Sequence, residues 1–199
     1  MLKKNKPEQT APEKPKLTKA EEFKQDLFFW LQALVMALVL LIVLFTFVGR
    51  IISVDGPSML PTLHDKDMLL LRSIGYTPKQ GDIVVLTKDF DHYVGQPIVK
   101  RVIAVGGQTV RIDYEASKVY VDGTALDEPY INEKLMFRPG GKLTIEELTV
   151  PEGSVFVLGD NRNNSSDSRH CELGAIDNRY ILGEAVMILL PFSDAGILS

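Results

Sequence analysis

Ile98-Val99-Lys100-Arg101-Val102-Ile103-Ala104-Val105 sets two adjacent cations among six apolar residues, five of them β-branched. Such a run reads as a short, β-branched strand. Strand alternation places Lys100 with Ile98, Val102 and Ala104, and Arg101 with Val99, Ile103 and Val105. A lysine flanked on its own face by apolar neighbours is partly stripped of water. Desolvation disfavours the ammonium and lowers its pKa, which is what a lysine general base requires. Each unit of depression costs the fold about 1.4 kcal/mol, so such a lysine is not kept for stability. The alternative is a lysine that snorkels from a strand edge into solvent.

Outward from this run, short β-branched segments recur: Met68–Ser73, Asp82–Thr87, Thr109–Asp113, Lys118–Val121, Ser154–Leu158 and Glu184–Pro191. Gly75, Gly81, Gly106-Gly107, Gly140-Gly141 and Gly153 punctuate them, and Asp122-Gly123 is a two-residue hairpin signal. Many short strands without a helical period predict a mostly β fold, an antiparallel sheet or barrel-like domain. The stretch from about Asn132 to Thr149 has no clear period and reads as a surface excursion.

Upstream, residues 27–49 form an uncharged run fenced by Asp26 and Arg50, with Trp30 near one end. An α-helix of that length crosses a hydrocarbon core of about 30 Å, and no small-x-small cleavage site follows it. Residues 1–26 carry seven lysines and five acids with almost no large apolar side chains, the composition of a disordered tail. The lysine excess before the span predicts that this tail is cytoplasmic. The expected organisation is a cytoplasmic tail (1–26), a single transmembrane helix (27–49) and an extracytoplasmic domain (50–199) at the cell membrane.

The net charge of −4 excludes nucleic acid as the main partner, because no basic surplus exists to neutralise phosphates. Cys171 is the single cysteine, and with only His64, His92 and His170 to add, a Cys/His zinc site is not expected.

Two further stretches carry possible chemistry. Asp55-Gly-Pro-Ser-Met-Leu-Pro-Thr-Leu63 holds Ser58 between prolines, on backbone that is neither helix nor central strand. A Gly-Pro-Ser segment is commonly just a turn, but it starts close to the end of the span. His64 and His92 lie in polar turns with no context that marks either as a partner for Ser58. Gly159-Asp-Asn-Arg-Asn-Asn-Ser-Ser-Asp-Ser-Arg-His170 follows the core-like strand at Val155–Leu158. It is either a solvated loop or a mount for groups that orient a site.

In order, Ser58-Met-Leu-Pro-Thr62, Gly81-Asp-Ile-Val-Val85, Lys100-Arg-Val-Ile-Ala-Val-Gly-Gly107 and Gly159–Arg169 resemble the motifs of the type I signal peptidase family. These are membrane-anchored Ser/Lys serine proteases (peptidase family S26), and the likeness is to Gram-positive-type members over residues 27–190. The resemblance implies Ser58 as nucleophile and Lys100 as general base, with the Ser58 backbone N–H meeting the oxyanion. Ser165 would hydrogen-bond and orient the lysine, Asp167 and Arg169 would form a structural pair, and Asp160 and Arg162 would hold the loop. Some members have a serine two positions before the nucleophile that helps with the oxyanion; this chain has Gly56 there. The substrates would be secreted preproteins cut after small residues of the Ala-x-Ala kind, with Met59 helping to line a shallow pocket. The resemblance implies membrane lipid as the surroundings, a monomer, and no metal or organic cofactor. A membrane-tethered β module without activity, or a self-cleaving repressor-type Ser/Lys protease, are the competing readings; the apolar span argues against the second.

Overall fold

The computed structural model describes residues 18–47, 50–88, 95–131, 133, 136–138 and 144–198. His92 and residues 1–17 of the expected tail lie outside them.

Helix α1 runs from Lys19 to Phe47. It starts eight residues before the apolar run, so residues 19–26, expected to belong to the tail, are helical instead. The cause is local. The Glu21 carboxylate accepts hydrogen bonds from both the backbone N–H (2.9 Å) and the hydroxyl (2.8 Å) of Thr18. Together with Glu21 and Glu22 in the first turn, this holds the chain where the helix dipole favours negative charge. Within it, Lys19–Val43 contains an 18-residue window with a mean hydropathy of 2.4 and no buried share, long and apolar enough to cross a membrane.

The rest of the described chain is mostly β. Its strands are β1 (Arg50–Ser53), β2 (Met68–Arg72), β3 (Ile83–Leu86), β4 (Ile98–Val105), β5 (Thr109–Asp113), β6 (Lys118–Val121), β7 (Thr124–Ala125), β8 (Glu147–Thr149), β9 (Ser154–Leu158), β10 (Ile176–Asp177), β11 (Ile181–Leu190) and β12 (Gly196–Ile197). The larger sheet has the order β1-β2-β11-β3-β4-β9-β10, with β12 beside β11, and curls into a half-barrel; β7-β6-β5-β8 form a second sheet. Every pairing is antiparallel. The β6–β7 hairpin turns at Asp122 and Gly123, whose φ angles of 51° and 77° fit the two-residue turn that Asp-Gly specifies.

Strand β4 is central to the larger sheet, flanked by β3 and β9, and seven of its eight residues are buried. Ile98 and Val102 pack with Val84, Leu86, Val155 and Val157. Ala104, expected on the same side, packs instead with Ile103, Phe156 and Leu158. The register against β9 shifts between Val102 and Ala104. One extra residue in a strand reverses the alternation beyond it.

Between β1 and β2 the chain makes the Ser58 turn, and two of its residues anchor it. Met59 (1 % exposed) and Leu63 (0 %) are buried with Val54, Leu69, Leu71, Val85 and Val99. Met59 therefore serves as core beneath the turn rather than lining an open pocket, because its neighbour Ser58 takes the exposed side of the bend.

Candidate active site

Ser58 and Lys100 are 42 positions apart in sequence and meet in space. Lys100 Nζ lies 2.8 Å from Ser58 Oγ and also donates to the Val99 carbonyl at 2.8 Å. Val84 stands directly opposite Lys100 on β3. On the other side, β9 ends at Leu158 opposite Arg101, so Gly159 follows level with Lys100. A Cβ at Gly159 would come within 2.5 Å of the Ser58 carbonyl oxygen and closer still to Ser165 Oγ. Only glycine lets these segments approach so closely.

Lys100 is 3 % exposed. Burial lowers its pKa from the ordinary 10.5 to about 8, against the smaller opposing pull of the Asp167 and Asp160 carboxylates. Its contacts are compatible with that. An ammonium brings three donors but finds two partners here, which leaves one charged N–H unpaired. A neutral amine that donates to Val99 and accepts from the Ser58 hydroxyl also leaves one N–H unpaired, but an uncharged one, which costs less to bury. The two faces of the pair differ in exposure, since Ser58 borders an open cleft of about 300 Å³ with Gly56, Pro57, Phe137, Asn163, Ser165 and His170.

The polar loop after β9 is not a solvated excursion. Asp160, Arg162, Asp167, Ser168 and Arg169 are all at most 1 % exposed. Asp167 and Arg169 form the expected pair, with Arg169 Nε on Oδ1 at 2.8 Å and Nη2 on Oδ2 at 2.9 Å. Nη2 also donates to the Arg162 carbonyl at 2.5 Å. Burial alone would raise the Asp167 pKa, but the Arg169 charge and hydrogen bonds, with the Gly159 N–H, hold it below the usual range. Asp160 and Arg162, expected to hold the loop, each pair with a residue that the sequence reading missed. Asp160 accepts two bonds from Arg101, at 2.9 and 2.8 Å, and one from Thr62 Oγ1 at 2.5 Å. Arg162 makes a forked pair with Glu128, at 3.0 and 2.5 Å. Tyr130 packs its ring 4.0 Å under the Arg101 guanidinium.

One expected contact is absent. Ser165 Oγ, expected to bond Lys100, is buried without a hydrogen-bond partner of ordinary geometry. It abuts Gly159 and contributes to keeping Asp167 ionised. The second contact on Lys100 comes from its own strand, through Val99. His64 and His170 make no side-chain hydrogen bond to Ser58. Among the described residues no group of three or more His, Cys, Asp or Glu could hold a metal ion.

A curled antiparallel sheet carrying a serine against a buried lysine is a hydrolase-like arrangement, and comparison with known proteins gives the family. The model of the family described as signal peptidase, peptidase S26, matches residues 27–190. A signal peptidase I from Bacillus licheniformis is 37 % identical over 185 residues, spanning 88 % of this chain and 95 % of that protein. Signal peptidase I S of Bacillus subtilis (strain 168) is 35 % identical over 179 residues, 86 % of this chain and 93 % of the relative. A solved signal peptidase I from Enterococcus faecalis V583 is 28 % identical, with a TM-score of 0.41, over 55 % of this chain and 97 % of that one. The chain belongs to the S26 signal peptidase family and is a peptidase. The curated relatives and the N-terminal apolar helix together fit a membrane-anchored protein.

Proposed function

We propose that this peptidase removes N-terminal signal peptides from exported preproteins, cutting after small residues of the Ala-x-Ala type through a Ser58/Lys100 dyad. The observation that carries the reading is the 2.8 Å approach of a buried Lys100 Nζ to Ser58 Oγ. Neutral Lys100 takes the Ser58 proton as Oγ bonds to the scissile carbonyl carbon, whose π electrons move onto oxygen. The Ser58 backbone N–H faces the resulting oxyanion. Collapse expels the new N-terminal amine of the mature chain, which takes the proton from the Lys100 ammonium. A water then gives a proton to Lys100 and attacks the ester carbonyl, and as the ester C–O bond breaks the Lys100 ammonium returns that proton to Ser58 Oγ, freeing the signal peptide. Asp167–Arg169, Arg101–Asp160 and Arg162–Glu128 keep the loop beside Ser58 rigid. No metal or organic cofactor takes part.

The lysine-rich N-terminus lies in the cytoplasm, the helix spans the cell membrane, and the β domain works as a monomer on the outer side against membrane lipid. Incubation of the full chain in detergent with a preprotein ending its signal in Ala-x-Ala tests this. Mass mapping should find one cut after the second alanine, lost in Ser58→Ala and Lys100→Ala. Cleavage by either variant at the normal rate overturns the dyad.

A further inference from the structure

We infer that Asn161 is a positioning residue whose side chain fixes the direction of the Ser58 backbone N–H; the inference rests on the dyad reading above. Asn161 grips both peptide groups that flank the Ser58 Cα. Its backbone N–H donates to the Ser58 carbonyl at 3.0 Å, and its Nδ2 donates to the Pro57 carbonyl at 3.1 Å. The Pro57 carbonyl and the Ser58 N–H belong to one planar, trans peptide and point in opposite directions. Holding the oxygen therefore aims the N–H. A backbone bond from Leu60 N–H to the same carbonyl, at 3.1 Å, shares this task. The Ser58 N–H itself donates to nothing among the described residues, so it is left for a ligand.

The surroundings make this aim matter. Gly56 has no side chain to donate, and its own N–H is taken by Asp65 Oδ1 at 2.9 Å. A rotated Pro57–Ser58 peptide would present a carbonyl oxygen where a donor is needed, and no neighbouring donor from Gly56 could replace it. Asn161 is also carried by the loop that Asp160 and Arg162 lock to the rest of the domain, so its grip is set by a rigid mount rather than by the turn alone.

Asn161→Ala removes only the side-chain donor and keeps the backbone bond; Asn161→Asp keeps the shape and sets a carboxylate against the Pro57 oxygen. With purified full-length protein and a signal-peptide substrate, kcat should fall about tenfold in the alanine variant and further in the aspartate, with KM within about twofold. A peptide aldehyde that adds to Ser58 as a tetrahedral adduct should lose affinity by the same factor as kcat/KM, while the corresponding peptide alcohol binds as before. Unchanged kcat in the alanine variant, unchanged aldehyde affinity, or losses of aldehyde and alcohol binding in parallel would overturn the assignment. Ser58→Ala, run alongside, separates the two readings. If it still cleaves, the dyad is wrong; if it is dead while Asn161→Ala is normal, only the positioning role fails. Should Asn161→Asp not fold, the alanine variant decides.

Discussion

Lys100 and Arg101 sit side by side on β4, both basic side chains and both only 3 % exposed, but their surroundings differ. Arg101 is matched: Asp160 takes two of its N–H groups, the Gly81 carbonyl takes another at 2.8 Å, and Tyr130 covers its face. Among the described residues Lys100 has no carboxylate partner and is left with a hydroxyl and a carbonyl. A matched buried cation keeps its charge and acts as structure; an unmatched one gives up its proton more readily and can serve as a base. In the proposed dyad the same strand uses one of these side chains to brace the site and the other for chemistry.

The comparison breaks most visibly in activity. Lys100→Met should reduce cleavage by at least about 10³-fold, because the serine then has no base. In stability the order reverses. Arg101→Met should destabilise the fold by about 3–5 kcal/mol, since it strands Asp160 as a buried, unpaired carboxylate. Lys100→Met should stabilise it at pH 7 by roughly 2 kcal/mol. A shift to about 8 represents about 3 kcal/mol of burial cost, reduced by the lost bonds to Val99 and Ser58. The sign follows from proton binding. Below pH 8 both states bind the proton and the folded one carries a buried charge, so the cost is fully present there. It is relieved as pH rises from about 8 to 10.5, and the advantage of Lys100→Met should shrink over that window. Chemical denaturation of the three proteins at pH 7 and pH 10 measures all of this. If both substitutions destabilise equally, the contrast between the two cations is wrong.

Two smaller effects sharpen it. Gly159→Ala should cost about 2 kcal/mol or more and lower kcat, because its methyl group invades the space of Ser58 and Ser165. Differential scanning calorimetry and single-turnover cleavage read the two parts. Thr62→Val, which removes only the third bond to Asp160, should cost about 1 kcal/mol without changing the pH profile.

The β-branched runs made most of the sheet legible: the strand limits of β4, β5, β6 and β9 follow directly from their sequences. Ser58 and Lys100 were legible as candidates because a serine between prolines and a lysine among valines are each locally odd. The bulge that moves Ala104 was not, since β-bulges depend on the neighbouring strand and leave no mark on hydrophobic alternation. Nor were the partners of Asp160 and Arg162. Arg101 is 59 positions from Asp160, and Glu128 is 34 from Arg162, so their pairing is set by register and loop path. Sequence placed Arg101 on the face opposite Lys100 but gave no reason to connect it to the loop. The start of α1 was misjudged because a charged, lysine-rich composition hid the Thr18–Glu21 cap.

The central claim is that Lys100 works as a neutral, buried base. The most direct measurement is the pH dependence of kcat/KM for a signal-peptide substrate, from pH 6 to 11. The rate should rise through an apparent pKa of about 8 and level off above it, as the amine loses its proton. A rise centred near the unperturbed value of about 10.4 would mean that Lys100 is not desolvated in the working enzyme, and the account would be wrong.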